Sequence, residues 1–243
     1  MLYAILSDIH ANLEAFTAVL SDMSQRGVEN IWCLGDIVDY GPNPHECIEL
    51  LRRQKFIVVP GNHDLAAIGQ LDAADFHPDA VISNRWTSEQ LQQSDIDYLR
   101  GLPGMIEEGD FTLVHASPRD PVWEYLRSAE IAKENMPFLK SKYCLFGHTH
   151  RPVAFRWRAN NSCYPDEFTE EAGYDLKWNR LFVNPGSVGQ PRDGDPRASY
   201  AVYDSETKTI RLCRVPYDIA ATQAKMLQNK LPEGLISRLS YGL

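Results

Sequence analysis

The stretch Ile31-Trp32-Cys33-Leu34-Gly35-Asp36 decides the fold that we predict for this chain. It is a short apolar run that ends in a glycine and then a carboxylate, which is typical of a buried strand that delivers an acid to the edge of a sheet. The run is too short for a globular helix, and Gly35 marks its end. Taken alone, Asp36 more often caps the next turn than binds a ligand. Its two oxygens, however, would allow it to bridge two cations.

Four other strand-like runs also end in side chains with oxygen or nitrogen donor atoms. These are Asp8 and His10 after residues 2–6, Asn62, His63 and Asp64 after 56–59, His115 after 111–114, and His148 and His150 after 142–146. Each group taken alone could be a polar turn or a helix cap. Ligands of open α/β sheets bind at the carboxyl ends of the strands, so we expect these side chains to lie together. The set contains no cysteine and therefore suits hard or borderline divalent cations such as Mn, Fe, Zn or Ni.

Composition limits the classes to which the protein can belong. The chain has 243 residues, of which 44% are hydrophobic, enough for one large α/β domain or two small ones. A net charge of -9 and the lack of any block of consecutive Lys and Arg argue against general nucleic-acid binding or an anionic membrane surface. No stretch approaches the ~18 apolar residues of a membrane span. Five cysteines without a C-x-x-C pair, and no signal peptide, indicate reduced thiols in a cytoplasmic protein.

The remaining pattern predicts how the chain is organised around these strand ends. We expect a single domain over residues 1–243, with a small helical insertion at 65–105 near the site and a β-rich excursion at 155–180. Within the insertion, Ser94 to Asp97 resembles a capping box. Within the excursion, residues 159–173 are polar and are expected to be flexible. The other predicted elements are helices at 14–25, from 44, at 129–139, at 217–230 and after 232, a hairpin at 105–114, sheet segments at 152–158, 174–178 and 180–184, and a hairpin at 199–215.

The ordered motifs resemble those of a known superfamily. They are Asp8-x-His10, Gly35-Asp36, Gly61-Asn62-His63-Asp64, His115, Gly147-His148-x-His150 and then Asn184-Pro185-Gly186-Ser187. In this order they are similar to the motifs of the calcineurin-like metallophosphoesterases, and especially to compact single-domain bacterial members. The resemblance implies an α/β fold, a four-layer αββα sandwich of two mixed β-sheets flanked by helices. It also implies a two-metal centre between the strand ends.

The same resemblance assigns the metal ligands. Asp8, His10, Asp36 and His150 would hold one ion, and Asp36, Asn62, His115 and His148 would hold the other. Two ions ~3.5–4 Å apart can clamp the attacking and leaving oxygens of an in-line displacement. A single zinc already lowers the pKa of a bound water to about 7, so a water bridging two cations would become a hydroxide that attacks phosphorus.

Other residues are expected to act on the substrate. His63 lies outside the implied ligand set and would protonate the leaving oxygen, with Asp64 orienting its ring. Asn12, Tyr40 and Arg192 are candidate substrate contacts. For Tyr40 a packed loop aromatic is an equal alternative, and for Arg192 a structural salt bridge is the competing interpretation. Asp39 is expected to hold its loop by hydrogen bonds.

These features predict a metal-dependent hydrolase of a small phosphomonoester or phosphodiester. The alternative is a non-catalytic interaction scaffold on the same fold. The unbroken ligand set and His63 favour the enzyme. Protein phosphatases that resemble this family carry Arg at the place of Tyr40 and Glu at the place of Asp64, and the diadenosine tetraphosphatase branch shares that Arg. Both substrate classes are therefore disfavoured. The sequence leaves open the choice between monoester and diester, the native metal and whether the protein is a homo-oligomer.

Overall fold

The structure, a computed structural model, describes residues 1–53, 56–157, 162–166, 168–170, 173–176 and 180–243. Its strands are β1 (Leu2–Leu6), β2 (Asn30–Cys33), β3 (Phe56–Val58), β4 (Met105–Glu108), β5 (Phe111–Val114), β6 (Tyr143–Leu145), β7 (Val153–Trp157), β8 (Cys163–Asp166), β9 (Tyr174–Asp175), β10 (Arg180–Asn184), β11 (Ala198–Asp204) and β12 (Thr209–Val215). Its α-helices are α1 (Leu13–Gln25), α2 (Pro44–Arg52), α3 (Asn62–Ala67), α4 (Pro78–Gln90), α5 (Gln93–Arg100), α6 (Ala129–Asn135), α7 (Ile219–Gln228) and α8 (Glu233–Arg238).

The strands form two mixed sheets of six. The order in the first sheet is β3-β2-β1-β11-β12-β9, and the order in the second is β4-β5-β6-β10-β7-β8. In the first sheet β1, β2 and β3 run parallel, and in the second β5, β6 and β10 do. Since parallel strands end at the same edge of a sheet, the loops that follow them come together.

Alternating side chains of the strands separate three buried apolar layers. In β1, Ala4 and Leu6 pack with Phe16 of α1, whereas Ile5 points the other way and packs with Leu113 of the second sheet. A third layer lies beyond the second sheet and includes Val114, Phe182 and Ala132 of α6. Helices, sheet, sheet and helices therefore follow one another. The predicted four-layer αββα sandwich is confirmed.

The stretch from residue 65 to residue 105 is mainly helical, as predicted. The capping box of α5, however, is formed by other residues than those we predicted. Helix α5 begins at Gln93, one residue before the predicted capping box. Asp95, which is fully buried, accepts a hydrogen bond from the Gln92 amide at 2.9 Å and so caps the helix. The prediction that the box begins at Ser94 is wrong. Gln92 is the N-cap residue, and the carboxylate three positions later, that of Asp95, accepts from its amide.

The polar stretch 159–173 also differs from the prediction. Residues 163–166 form β8, which pairs antiparallel with β7, whereas we expected a flexible excursion there. Arg156 of β7 contacts the Asp166 carboxylate across this pair, which gives the polar strand a partner. Strand β9 covers only the first two residues of the predicted segment 174–178. Residues 158–161, 167, 171–172 and 177–179, which include parts of these predictions, lie outside the described residues.

Two further expectations concern the whole chain. All five cysteines are free thiols, and all but Cys163 are buried, in agreement with the prediction of reduced thiols. No helix in the described ranges combines the length and the apolar character that a membrane crossing requires.

Candidate metal centre

The predicted metal ligands converge where the strands of both sheets end. One group consists of Asp8, His10, Asp36 and His150, and a second consists of Asp36, His115 and His148. Within each group, one donor atom of every residue lies within 4.8 Å of the others. Asn62 joins the second group, with its Oδ1 3.1 Å from Nε2 of His115. The structure thus brings together all seven predicted ligands, with Asp36 in both groups.

The Asp36 carboxylate lies between the two groups. Its Oδ2 is 3.5 Å from Nε2 of His10 and 3.3 Å from Nε2 of His115. Its other oxygen accepts a hydrogen bond from the His63 amide at 3.0 Å, which holds the carboxylate in this orientation. One oxygen atom therefore faces the donor atoms of both groups.

Backbone carbonyls determine which nitrogen of each histidine carries the proton. Nδ1 of His10 is 3.1 Å from the Val38 carbonyl, and Nδ1 of His150 is 2.6 Å from the Gln190 carbonyl. A carbonyl only accepts, so each Nδ1 must carry the hydrogen. The two Nε2 atoms, 3.1 Å apart, then face each other with lone pairs. Lone pairs that close together repel unless a cation lies between them.

The second group has the same arrangement. Nδ1 of His115 is 2.7 Å from the Leu34 carbonyl, and Nε2 of His148 is 3.2 Å from the Trp123 carbonyl. The remaining nitrogens, Nε2 of His115 and Nδ1 of His148, lie 3.2 Å apart. Histidines that bind metals commonly donate their other N–H to such a carbonyl, which fixes the tautomer and the ring orientation.

Two buried carboxylate oxygens have no hydrogen-bond partner among the described residues. They are Oδ2 of Asp8 and Oδ2 of Asp36, and both residues have no exposed surface. A buried unpaired carboxylate oxygen is costly, and a bound cation would remove this cost. The unpaired oxygens and the converging lone pairs fit a divalent metal.

The backbone of the centre is held in a sparsely populated conformation. Asp8, His10, Asp36, His148 and His150 all have positive φ, between 48° and 64°. L-residues adopt this left-handed region rarely and at a cost of order 1–3 kcal/mol each, and such residues cluster at functional sites. These φ values bend the chain sharply after β1, β2 and β6, so that the side chains of these residues turn into the centre.

Burial and neighbouring charges set the protonation of the centre. Burial, above all, holds the pKa values of the His10, His148 and His150 imidazoles well below their usual value. The three rings are therefore neutral and able to bind a metal. Burial raises the pKa of Asp8 to about 7. Burial also acts to raise the pKa of Asp36, but the imidazoles of His115 and His63 outweigh it, and that pKa lies well below the usual value.

His63 lies beside the centre, and its partner is not the one that we predicted. Its Nδ1 donates to Oδ2 of Asp39 at 2.6 Å. The same Oδ2 accepts from the Asn84 side-chain amide at 3.1 Å, and that amide also donates to the His63 carbonyl at 3.1 Å. Asp39 and Asn84 therefore orient the His63 ring. The sequence carries no sign of Asn84, which lies in α4 of the helical insertion.

Asp39 also holds its own loop, as predicted, since its Oδ1 accepts from the Tyr40 amide at 2.6 Å, and Asp64 holds the backbone more extensively. Its Oδ1 accepts from the amides of Ile37 and Val38 at 2.8 and 3.0 Å, and its Oδ2 accepts from the Gly61 amide at 2.9 Å. Both oxygens are thus used to hold two loops together. The prediction that Asp64 orients the His63 ring is wrong, because its carboxylate is turned toward the backbone.

The structure separates the three predicted substrate contacts. Asn12 caps α1 through the Ala15 amide at 3.1 Å and donates to the Gly189 carbonyl at 2.8 Å, so its side chain is occupied by the fold. The prediction of Asn12 as a substrate contact is therefore corrected. Tyr40 and Arg192 do line a cavity in front of His63. The Arg192 guanidinium binds the neutral Gln190 side chain at 2.7 Å, and in the described residues it forms no ion pair.

This cavity has a volume of about 760 Å³ and opens next to Asn62 and His63. Phe76 and Trp123, whose rings stack with centroids 5.4 Å apart, form part of its wall. Phe76 also packs against His63 with the ring centroids 4.6 Å apart. Neither aromatic has a local signal in the sequence, because each lies in a loop and they meet only in the folded chain.

Comparison with known proteins agrees with this geometry. Residues 1–208 match the model of a family described as the calcineurin-like phosphoesterase superfamily domain. An uncharacterized protein of Methanocaldococcus jannaschii is 39% identical over 249 residues, covering 98% of this chain and 97% of the relative. Phosphodiesterase YfcE of Escherichia coli K12 is 28% identical over 215 residues, covering 84% and 88%.

The fold is also shared with a solved structure. The crystal structure of a metallophosphoesterase from Sphaerobacter thermophilus is 46% identical in sequence and superposes with a TM-score of 0.91, covering 100% of this chain and 99% of the other. The family match covers most of the chain, and the matched residues include all the predicted metal ligands. The chain therefore belongs to the calcineurin-like phosphoesterase superfamily and is a hydrolase that acts on phosphoric ester bonds.

Proposed function

We propose that this chain hydrolyses a small phosphomonoester or phosphodiester at a centre of two divalent transition-metal ions. Asp8, His10, Asp36 and His150 would hold one ion, and Asp36, Asn62, His115 and His148 would hold the other. The observation that carries the proposal is the position of Asp36 Oδ2, 3.5 Å from His10 Nε2 and 3.3 Å from His115 Nε2. Mn, Fe, Zn and Ni all suit this set of nitrogen and oxygen donors.

When bound, two such ions would supply Lewis acidity and lower the pKa of a water between them, which provides a hydroxide nucleophile. His63, which lines the cavity beside the centre, would act as a catalytic residue on the leaving group. Because its Nδ1 is bound to Asp39, its Nε2 is the atom that can pass a proton to the leaving oxygen. Asp39 and Asn84 act through His63 as positioning residues.

The residues around the cavity would bind the rest of the ester. The Arg192 guanidinium is unpaired with acid in the described part of the chain and would neutralise a phosphoryl oxygen. Tyr40, whose ring centroid is 4.5 Å from that of His63, would pack against the leaving group. A relative named as a phosphodiesterase supports a diester among the candidates.

The non-catalytic scaffold is not favoured by any feature of the site. The donor set has no gap, and the His63–Asp39 pair is formed although a scaffold would not need it. The predictions of a cytoplasmic location and of a homo-oligomer remain predictions.

A hydrolysis screen tests the proposal. The purified full chain would be incubated with p-nitrophenyl phosphate or bis-p-nitrophenyl phosphate in the presence of EDTA, or with Mn²⁺, Ni²⁺ or Zn²⁺ added. We expect turnover only with metal, and the faster substrate would identify the ester class. Asp36→Asn should lose both ions and the activity together. Full metal content in that variant, or equal turnover in EDTA, would contradict a dinuclear centre bridged by Asp36.

A further inference from the structure

A second cavity of about 600 Å³ adjoins the first and shares Arg192, Arg238 and Tyr125 with it. We call it the arginine chamber, because its wall carries Arg127, Arg151, Arg192 and Arg238. The remaining wall is largely apolar and includes Leu126, Val153 and Phe155. No Asp or Glu side chain of the described residues lines it.

The charge of the chamber is opposite to that of the protein. The chain has 24 Lys and Arg against 33 Asp and Glu, and many of its arginines pair with an acid, as Arg26 does with Asp22. In the described ranges, none of the four chamber arginines forms an ion pair with a carboxylate side chain. Arg127, Arg151 and Arg192, which have no acidic partner among the described residues, place a local positive potential around one concave surface of an acidic protein.

Neutral partners hold three of these arginines in place. Arg151 Nε donates to the Arg192 carbonyl at 2.6 Å, and the Arg192 guanidinium donates to the Gln190 side chain at 2.7 Å. Arg127 lies over the Tyr125 ring, 3.9 Å from its centroid. Arg238 donates to a main-chain oxygen of Leu243, the last residue of the sequence. The contacts of the other three arginines orient their guanidinium groups without neutralising their charge.

Like charges and burial act against this arrangement when no anion is present. The pKa of Arg238 is lowered, first by burial and then by the nearby Arg192. A positive group whose charge is disfavoured in this way gains most from a bound anion. Because Arg presents N–H donors in a planar fork, several arginines together suit the oxygens of a phosphate group.

The chamber is next to the predicted metal centre. The Tyr125 ring that supports Arg127 stacks on His148, with centroids 3.9 Å apart. On the other side, the Arg192 amide donates to the His150 carbonyl at 3.2 Å. Residues of the chamber wall therefore contact two predicted metal ligands directly, and a single small molecule could extend from the chamber to the centre.

We propose that the arginine chamber binds a second phosphate group of the substrate, one that is not itself hydrolysed. The proposal rests on the proposed function, since it extends the substrate of that site. A phosphate dianion matches a cluster of three guanidinium groups better than a single carboxylate does. No bond is made or broken in the chamber, so its contribution is binding and orientation.

Phosphate binding tests the chamber independently of catalysis. Inorganic phosphate would be titrated calorimetrically into the full chain after metal removal with EDTA. We expect binding at one site that weakens about tenfold or more in Arg127→Ala/Arg151→Ala. Arg53→Ala/Arg85→Ala removes the same charge from the exposed surface and should bind phosphate as the native chain does. No binding to the native chain, or equal weakening in both double variants, would overturn the chamber even if the enzyme hydrolyses esters.

A matched pair of substrates shows whether the phosphate that the chamber binds belongs to the substrate or is free inorganic phosphate. The metal-loaded enzyme would be assayed with thymidine 5′-(p-nitrophenyl phosphate) and with its 3′-phosphorylated derivative. We expect kcat/KM to be about tenfold higher for the 3′-phosphorylated substrate, through KM, and this ratio to fall toward one in Arg127→Ala/Arg151→Ala. Equal kcat/KM values in the native enzyme would show that the chamber does not read a phosphate on the substrate. Failure of all hydrolysis would instead contradict the proposed function.

Discussion

The imidazole of His63 donates a hydrogen bond from Nδ1 to Oδ2 of Asp39 over 2.6 Å, across 24 positions of the sequence. Both side chains are almost completely buried. Asp64, which is adjacent to His63 in the chain, binds three backbone amides instead. The two aspartates therefore serve different purposes, and their substitution should have different effects.

Asp39→Asn should reduce turnover while leaving the metal content near normal. The amide cannot stabilise a protonated His63 as the carboxylate does, and it can favour the wrong tautomer. We expect kcat to fall by about 10²–10⁴-fold, the usual contribution of an acid–base group. Steady-state kinetics together with elemental analysis of bound metal would measure both quantities.

The matched comparison is Asp64→Asn. This substitution should mainly lower the free energy of unfolding, by about 1–3 kcal/mol. The side-chain amide of Asn has only one acceptor oxygen, so a buried backbone amide that Asp64 now binds is left without an acceptor. Denaturant unfolding would measure this change. If Asp64→Asn lowered kcat as much as Asp39→Asn at unchanged stability, the assignment of the two carboxylates would be reversed.

His63→Ala should abolish most turnover without removing metal. In the structure the ring is outside both groups of converging donor atoms and is held by Asp39. We expect a loss of about 10²-fold or more in kcat, with bound metal per chain unchanged. A parallel loss of metal would show that His63 is itself a ligand.

Metal removal should destabilise the fold. Asp8 and Asp36 each carry a buried oxygen without a partner, and two pairs of imidazole nitrogens face each other at 3.1 and 3.2 Å. A metal that binds only the folded state stabilises it by about 2.7 kcal/mol when its free concentration is 100 times the Kd. Thermal unfolding with EDTA and with added Mn²⁺ would show this as a lower Tm in EDTA. An identical Tm in both conditions would contradict metal binding at this site.

Tyr200→Phe should destabilise the protein in a pH-dependent way. The Tyr200 hydroxyl donates to Asp22 Oδ2 at 2.6 Å. Burial acts to raise the pKa of Asp22, but the hydrogen bonds from Arg26 and Tyr200 outweigh it, so the pKa is lowered. A carboxylate whose pKa is lowered by folding stabilises the folded state above its unfolded pKa of about 3.9, and this contribution is lost as the pH falls through the folded value.

The native chain should therefore exceed Tyr200→Phe in free energy of unfolding by about 1 kcal/mol at neutral pH. Urea unfolding at neutral pH and below about pH 3 would measure the difference, which should shrink in acid as Asp22 becomes protonated. A difference that is independent of pH would assign the effect to packing around the ring rather than to the charged hydrogen bond.

From the sequence we could predict the strands that carry the site, their polar ends and the side chains that meet at the centre. A strand and the polar residues after it form a local pattern, and parallel strands place such ends at one edge whatever lies between them. For that reason Asp8, His10, Asp36, His115 and His148 could be grouped before their distances were known. The resemblance to a superfamily added the pairing of these residues into two groups.

The partner of each of the other polar side chains depends on how distant segments pack together in the folded chain. The loops after β2 and β3 cross so closely that a Cβ on Gly61 would lie 2.0 Å from Oδ1 of Asp36. This crossing turns Asp64 toward backbone amides and leaves Asp39 as the partner of His63. The four arginines of the chamber likewise come from separate loops and a helix. Hydrogen bonds and charge clusters of this kind depend on distances between segments far apart in the chain, and no local pattern of residues encodes those distances.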